Sequence, residues 1–190
     1  MLPLPPRLPS VLALIVMSCA LGATGCAATG EVISDEGFEI DCRGVPCDWY
    51  VVEGHARFKD GWIDGDQAVD LTGVGAERVV IEQRAVLLQQ TTRQLLFEAA
   101  IARDPGATPR FELEWYAPGE GFGKTFWDRA PVKLDTRVYD VWETDVVHIQ
   151  RTVLVPSESA AVIVRIVKEK TGQVIVDELT LSRFANGTTK

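Results

Sequence analysis

In several segments between residue 94 and residue 182 the apolar side chains of this sequence return at every second position. In segment 94–102, Leu95, Phe97, Ala99 and Ile101 share one side. In 110–116, Phe111, Leu113 and Trp115 alternate with Arg110, Glu112 and Glu114. In 147–155, Val147, Ile149, Val153 and Val155 alternate with His148, Gln150 and Thr152. Segments 161–168 and 174–182 are rich in Val and Ile. A period of two sends successive side chains to opposite faces of a strand, so each segment carries an apolar face that another layer must cover. Weaker segments of the same kind predict strands at 37–40, 49–53, 55–58, 67–71 and 78–83. Turn-rich stretches separate them: DPGATP, APGEGFG, VPSES and KTGQ, the last reading as a hairpin turn between the final two strands. The one stretch long enough for a helix, 82–102, lacks a 3.6-residue apolar spacing and holds Thr91 and Thr92 at its middle. It reads as two strands with a turn near 89–92. Roughly ten strands spaced by turns predict an all-β fold, a β-sandwich or jelly roll, over residues 36–184, with a C-terminal tail at 185–190.

The N-terminus is of another kind. Arg7 precedes a short apolar run, VLALIVMSCA, and then small residues, LGATGC. This is the layout of an export signal over residues 1–25, its apolar run too short to span a bilayer. The Ala23, Gly25, Cys26 sequence resembles a bacterial lipobox, in which Cys26 is cleaved at its N side and lipidated. Leu is the usual residue where Ala23 stands, and plain signal cleavage after Gly25 or Gly30 is the alternative. Residues 26–35 then form the lipidated cysteine and a short tether. Cys19 goes with the signal, which leaves Cys42 and Cys47. In an oxidising compartment a pair this close predicts a disulfide; two thiols without neighbouring His are too few for structural zinc. The expected location is the bacterial cell envelope, as an outer-membrane-anchored lipoprotein facing the periplasm or the cell surface.

Charge narrows the partners. The chain has 19 Lys and Arg against 27 Asp and Glu, and only Arg7 among them lies before Cys26. An acidic domain is a poor match for phosphate backbones or anionic lipid, so no nucleic acid partner is expected. The segment APGEGFGKT imitates a phosphate-binding loop, but Pro118 stands where the first glycine belongs and FWDRAPVKL follows in place of a helix. It reads as a flexible loop, with no nucleotide expected. His55 and His148 fall on polar strand faces without a nucleophile at motif spacing. Asp60, Asp64 and Asp66 lack the spacing of an EF-hand loop. No pair of carboxylates stands out for sugar hydrolysis, and the expectation is a protein that is not an enzyme.

The aromatic residues carry more. Trp115 belongs to an apolar alternation and is expected in the core, and Trp49 at one end of it. Trp62, Trp127, Tyr139 and Trp142 fall in or beside loops among charged neighbours: GWIDGD, TFWDRAP and VYDVWE. Such rings stack on the apolar faces of sugars, and Asp64 and Arg129 would then bond hydroxyls. The alternative is that these rings pack loops against the sandwich edge.

Gly37, Phe38 and Glu39, then Trp49, then the strand of Gly65, Asp66, Val69, Asp70 and Leu71 resemble the opening of galactose-binding-like jelly rolls, among them carbohydrate-binding modules of the xylan- and glucan-binding kind. TVLVPSESAAVIVRI and the closing VIVDELTL resemble their end. The resemblance spans residues 37–181. It implies carbohydrate binding, and a structural calcium held between the first and last strands by Glu39 and Asp177, with Asp177-Glu178 in place of a usual Asp-Asp pair. The combined expectation is a non-catalytic envelope lipoprotein that binds a glycan on a concave face or on rim loops, attached to the membrane by its lipid. The alternative is a structural or protein-interaction lipoprotein of the same fold, with an envelope protein as partner.

Overall fold

The computed structural model describes residues 32, 38, 48–60, 67–72, 78–87, 94–144 and 146–183. These carry ten strands: β1 (Tyr50–Glu53), β2 (Arg57–Asp60), β3 (Gln67–Asp70), β4 (Val79–Val86), β5 (Gln94–Arg103), β6 (Thr108–Ala117), β7 (Val132–Asp140), β8 (Val147–Leu154), β9 (Ala161–Glu169) and β10 (Val174–Arg183). They form two five-stranded antiparallel sheets, β1-β4-β9-β6-β7 and β2-β3-β10-β5-β8. Only β2–β3 and β6–β7 are consecutive strands that pair; every other connection passes from one sheet to the other. This is a jelly-roll β-sandwich, as the alternation predicts.

The apolar faces meet between the sheets. Leu95, Phe97, Ala99 and Ile101 of β5 pack with Phe111, Leu113 and Trp115 of β6 and with Val162, Val164 and Ile166 of β9. Trp49 closes one end, tilted against Phe38 at 5.4 Å. His55 and His148 are both exposed.

Strand β10 shows how one residue can reset a face. Val174 and Val176 point into the core, and so do Leu179 and Leu181, which have the opposite parity. The register against β5 shifts between Asp177 and Thr180, and Glu178 sits at φ 48°. A bulge with one left-handed residue keeps both apolar pairs inside; without it, Glu178 would face the core.

Two expectations change here. KTGQ is no hairpin turn, because β9 lies between β4 and β6 while β10 lies between β3 and β5. The turn carries the chain across the sandwich, with Lys170 at φ 64° and Gly172 at φ 130°, and the Gln173 amide is fastened to Asp104 at 2.9 Å. Residues 132–140, where no strand was predicted, form the edge strand β7, paired with β6 along its length. Tyr139, expected beside a loop, therefore stands on a strand. Its ring stacks on Phe97 at 5.8 Å, and it packs against the core. Burial pushes its phenol up from the ordinary tyrosine range.

One polar link crosses the interior. Lys168 of β9 is fully buried and donates to the Thr72 carbonyl, beyond the end of β3, at 2.8 Å. Burial lowers its pKa, opposed by the negative charge of Asp70. Asp70 in turn accepts from Arg57 at 3.0 Å and from the Thr72 amide at 2.8 Å.

Candidate functional site

The outer face of the β1-β4-β9-β6-β7 sheet is polar, as the alternation requires, yet its carboxylates are not simply solvated. Register brings Glu82 of β4 beside Arg165 of β9 and places β6 next. Arg165 donates from Nε to Glu82 at 2.8 Å and pairs through Nη1 with Glu114 at 2.7 Å. Arg84 adds two bonds to Glu82, at 2.9 and 2.7 Å. Lys133 of β7 reaches Glu114 at 2.5 Å, and the Tyr116 hydroxyl donates to the same carboxylate at 2.8 Å. A shift in the β6–β7 register between Trp115 and Tyr116 sets Tyr116 opposite Lys133. The result is one array, Arg84–Glu82–Arg165–Glu114–Lys133, running across four strands.

Burial and charge act against each other in it. The carboxylates are nearly covered, with side-chain exposures of 3% for Glu82 and 9% for Glu114. Burial alone would raise the Glu114 carboxyl, but the bonds from Lys133 and Tyr116 and the charge of Arg165 outweigh it and hold it below its usual range. Burial likewise disfavours the Arg165 charge, and Glu82 and Glu114 more than restore it. Burial, then the bond to Glu114, pushes the Tyr116 phenol up to about 12. A carboxyl held ionised in this way is not a general acid at neutral pH.

An aromatic wall stands over one end of the array. Trp127 begins the 3-10 turn Trp127–Arg129. Its ring meets Tyr116 edge-on at 5.5 Å and Phe126 at 5.1 Å, and the Arg84 guanidinium lies 5.7 Å from its centre, within cation–π range. Ile163 of β9, which lies between Arg84 and Glu114 in the register, is buried there.

The turn is braced at its base. Thr125 and Asp128 exchange bonds in the manner of a capping box: the Thr125 amide donates to Asp128 at 3.0 Å and the Asp128 amide to the Thr125 hydroxyl at 3.2 Å. Ala130, in the left-handed region at φ 49°, ends the turn. The glycine loop before it lies directly on this backbone. A Cβ on Gly119 would fall 2.1 Å from the Arg129 carbonyl oxygen, and one on Gly123 2.1 Å from the Asp128 Cβ. The Gly121 amide donates to the Arg129 carbonyl at 3.1 Å. The glycines that imitate a phosphate loop are thus explained by close packing on the turn, and the expected flexible loop is a braced one. Phe122, between two of them, is fully exposed.

Of the residues expected to bind a glycan, the described ones fall at two ends of the sheet, Trp127 and Arg129 at one and Tyr139 and Trp142 at the other. Trp127 and Arg129 share the turn, and Arg129 donates from Nε to the Gly123 carbonyl at 3.2 Å. Trp142, 69% exposed, lies at the other end of β6, where the neighbouring Val141 amide donates to Pro109 and Arg103 holds the Trp142 and Glu143 carbonyls. A shallow cleft of about 300 Å³, lined by Arg103, Asp104, Thr144 and Gln173 among others, opens at that end. Trp62, Asp64, Glu39, Cys26, Cys42 and Cys47 lie outside the described residues. Asp177 is buried at the β10 bulge. Among the described residues no three His, Cys, Asp or Glu side chains are grouped to hold a metal ion. Glu82, Arg84, Glu114, Tyr116, Lys133, Arg165 and Phe122 were not singled out from the sequence. Their one signal was the charge alternation of β6, which looks like any solvated face until β4, β9 and β7 are placed beside it.

No family of known sequences matches this chain, and no curated protein does. Solved structures do. The enzymatically active domain of tailspike protein 4 from bacteriophage CBA120 is similar over 81% of this chain, with a TM-score of 0.60 and 9% identity; the chain spans only 21% of its length. A family 61 carbohydrate-binding module in complex with β-1,4-galactotriose matches over 82% of this chain and 100% of its own, with a TM-score of 0.53 and 15% identity. A family 22 xylan-binding domain from Paenibacillus barcinonensis matches over 82% and 96%, with a TM-score of 0.52 and 14% identity. At such identities the likeness defines the fold, a galactose-binding-like jelly roll of the kind found in carbohydrate-binding modules.

Proposed function

We propose that this domain binds carbohydrate without transforming it, on the outer face of the β1-β4-β9-β6-β7 sheet. The observation that carries the reading is the array of planar, fixed polar groups running out from beneath the Trp127 wall. Sugars offer hydroxyls that want oriented donors and acceptors, and C–H faces that want aromatic rings; a strand-mounted array beside a braced indole supplies both. Preorganisation matters because a ligand binding to side chains already held in place spends less entropy on ordering them. Tyr116 and Arg165, held over the covered carboxylates of Glu82 and Glu114, meet hydroxyls, and Trp127 packs on the ring. The test is retention of the purified protein on immobilised polysaccharides. Retention lost in Trp127→Ala, with the fold kept, supports the reading; retention indifferent to Trp127 removes it.

The anchor and the calcium belong to the same proposal. A lipidated Cys26 would display the domain from the envelope, and Cys26→Ser should then move the protein from membrane to soluble fractions. A calcium between Glu39 and Asp177 would fasten the first strand to the last by hard oxygen ligands; a chelator should lower the melting temperature by several degrees, and an unchanged melt removes the metal.

A further inference from the structure

We infer that the glycan this face takes is an acidic one, whose uronate carboxylates or sulfate esters meet Arg84 and Lys133; the inference rests on the carbohydrate reading above. In the array three cations, Arg84, Arg165 and Lys133, share two carboxylates, Glu82 and Glu114. The burial is uneven. The carboxylates lie beneath, while Arg84 and Lys133, at the two ends, are each 48% exposed. A ligand approaching the face therefore meets cations. Both use only part of their donor capacity on the carboxylates, since a guanidinium and an ammonium each carry more N–H groups than these bonds take.

The surroundings are balanced in charge, which leaves the sign of the face to Arg84 and Lys133. Lys124 and Arg129 are exposed on the loop and turn beside Trp127. Two anions stand there as well, Glu120 on the loop and Asp128 on the turn, where Asp128 accepts from the Thr125 amide. The chain as a whole carries a formal charge of −8, which disfavours an acidic polymer at long range. Screening confines that effect: at about 0.1 M salt the Debye length is roughly 10 Å, so an anionic group on this face senses the array before the distant carboxylates. Arg84 and Lys133 stand on β4 and β7, three strand spacings or about 14 Å apart. That separation suits repeated charges along an oligosaccharide laid across the strands better than one terminal acid.

The experiment measures binding of the purified protein to polygalacturonate against its methyl ester, and to a sulfated galactan against its desulfated form. Each pair changes the charge and keeps the sugar. The expected result is binding to one or both charged polymers, with the uncharged partner at least tenfold weaker; which pair responds tells uronate from sulfate. Arg84→Ala and Lys133→Ala should each weaken the charged polymer about tenfold, a loss typical of one charge-assisted bond. Arg84→Lys and Lys133→Arg should keep most of the binding and show that the Ala variants fail through charge, not folding. Arg151→Ala, which removes an exposed cation from β8 of the other sheet, should change nothing. Equal, Trp127-dependent binding of the charged and neutral forms would overturn the acidic assignment and leave the carbohydrate reading standing. Binding to no glycan would overturn both.

Discussion

A tryptophan stands beside each end of strand β6, and the two are built differently. At one end Trp127 is held by Tyr116, Phe126 and Arg84 over a buried ion array. At the other, about 23 Å away at ~3.3 Å per residue, Trp142 projects into solvent from a loop whose carbonyls Arg103 holds. Both rings stand among charged residues in the sequence, so sequence context alone gives them equal claims to a ligand. The difference teaches that exposure is a weaker mark of a site than support. A ring fixed against oriented polar groups can select a ligand, whereas an exposed ring without fixed polar neighbours offers only area.

The largest expected effect breaks this comparison directly. Trp127→Ala should weaken glycan binding by tenfold or more, while Trp142→Ala leaves it within about twofold. The reverse pattern would move the site to the cleft beside Arg103. Next come the two arginines. Arg165→Met leaves Glu82 and Glu114 buried with their shared partner gone, and should cost on the order of 3 kcal/mol in denaturant unfolding. Arg103→Met removes bonds to loop carbonyls and should cost about 1–2 kcal/mol while sparing glycan binding. Equal costs would mean that the array adds no more than an ordinary loop brace. Gly123→Ala should cost about 1–3 kcal/mol by overpacking the turn and carry part of the Trp127→Ala binding loss with it.

The smallest effect is in pH. The folded pKa of Glu114 lies below its usual value of 4.5, so on acidification the unfolded chain takes up the proton first. The stability this group contributes is whole above pH 4.5 and is lost as the pH falls through the lower folded value. Glu114→Gln should therefore flatten the acid limb of a stability–pH curve; an unchanged limb would show that the array does not hold the charge.

Most of the sandwich was legible because its central strands alternate cleanly. Leu95, Phe97 and Trp115 declare their face by period alone. Strand β7 did not, for a physical reason: as an edge strand it exposes Val132, Leu134 and Val138 and sends only Tyr139 into the core, so no alternation marks it. The KTGQ turn misled because turn chemistry specifies a reversal and says nothing about which sheet receives the next strand. The array was hidden for a related reason. Glu114 and Glu82 look like solvated polar positions until β9 brings Arg165 between them, and that pairing joins residues 83 positions apart.

The central claim is that the braced end of β6 is a glycan site. Its most direct test is the binding of wild type, Trp127→Ala and Trp142→Ala proteins, side by side, to one panel of charged and neutral polysaccharides. The account predicts selective binding by wild type and by Trp142→Ala, and its loss in a folded Trp127→Ala. Binding that survives Trp127→Ala and disappears in Trp142→Ala would contradict it.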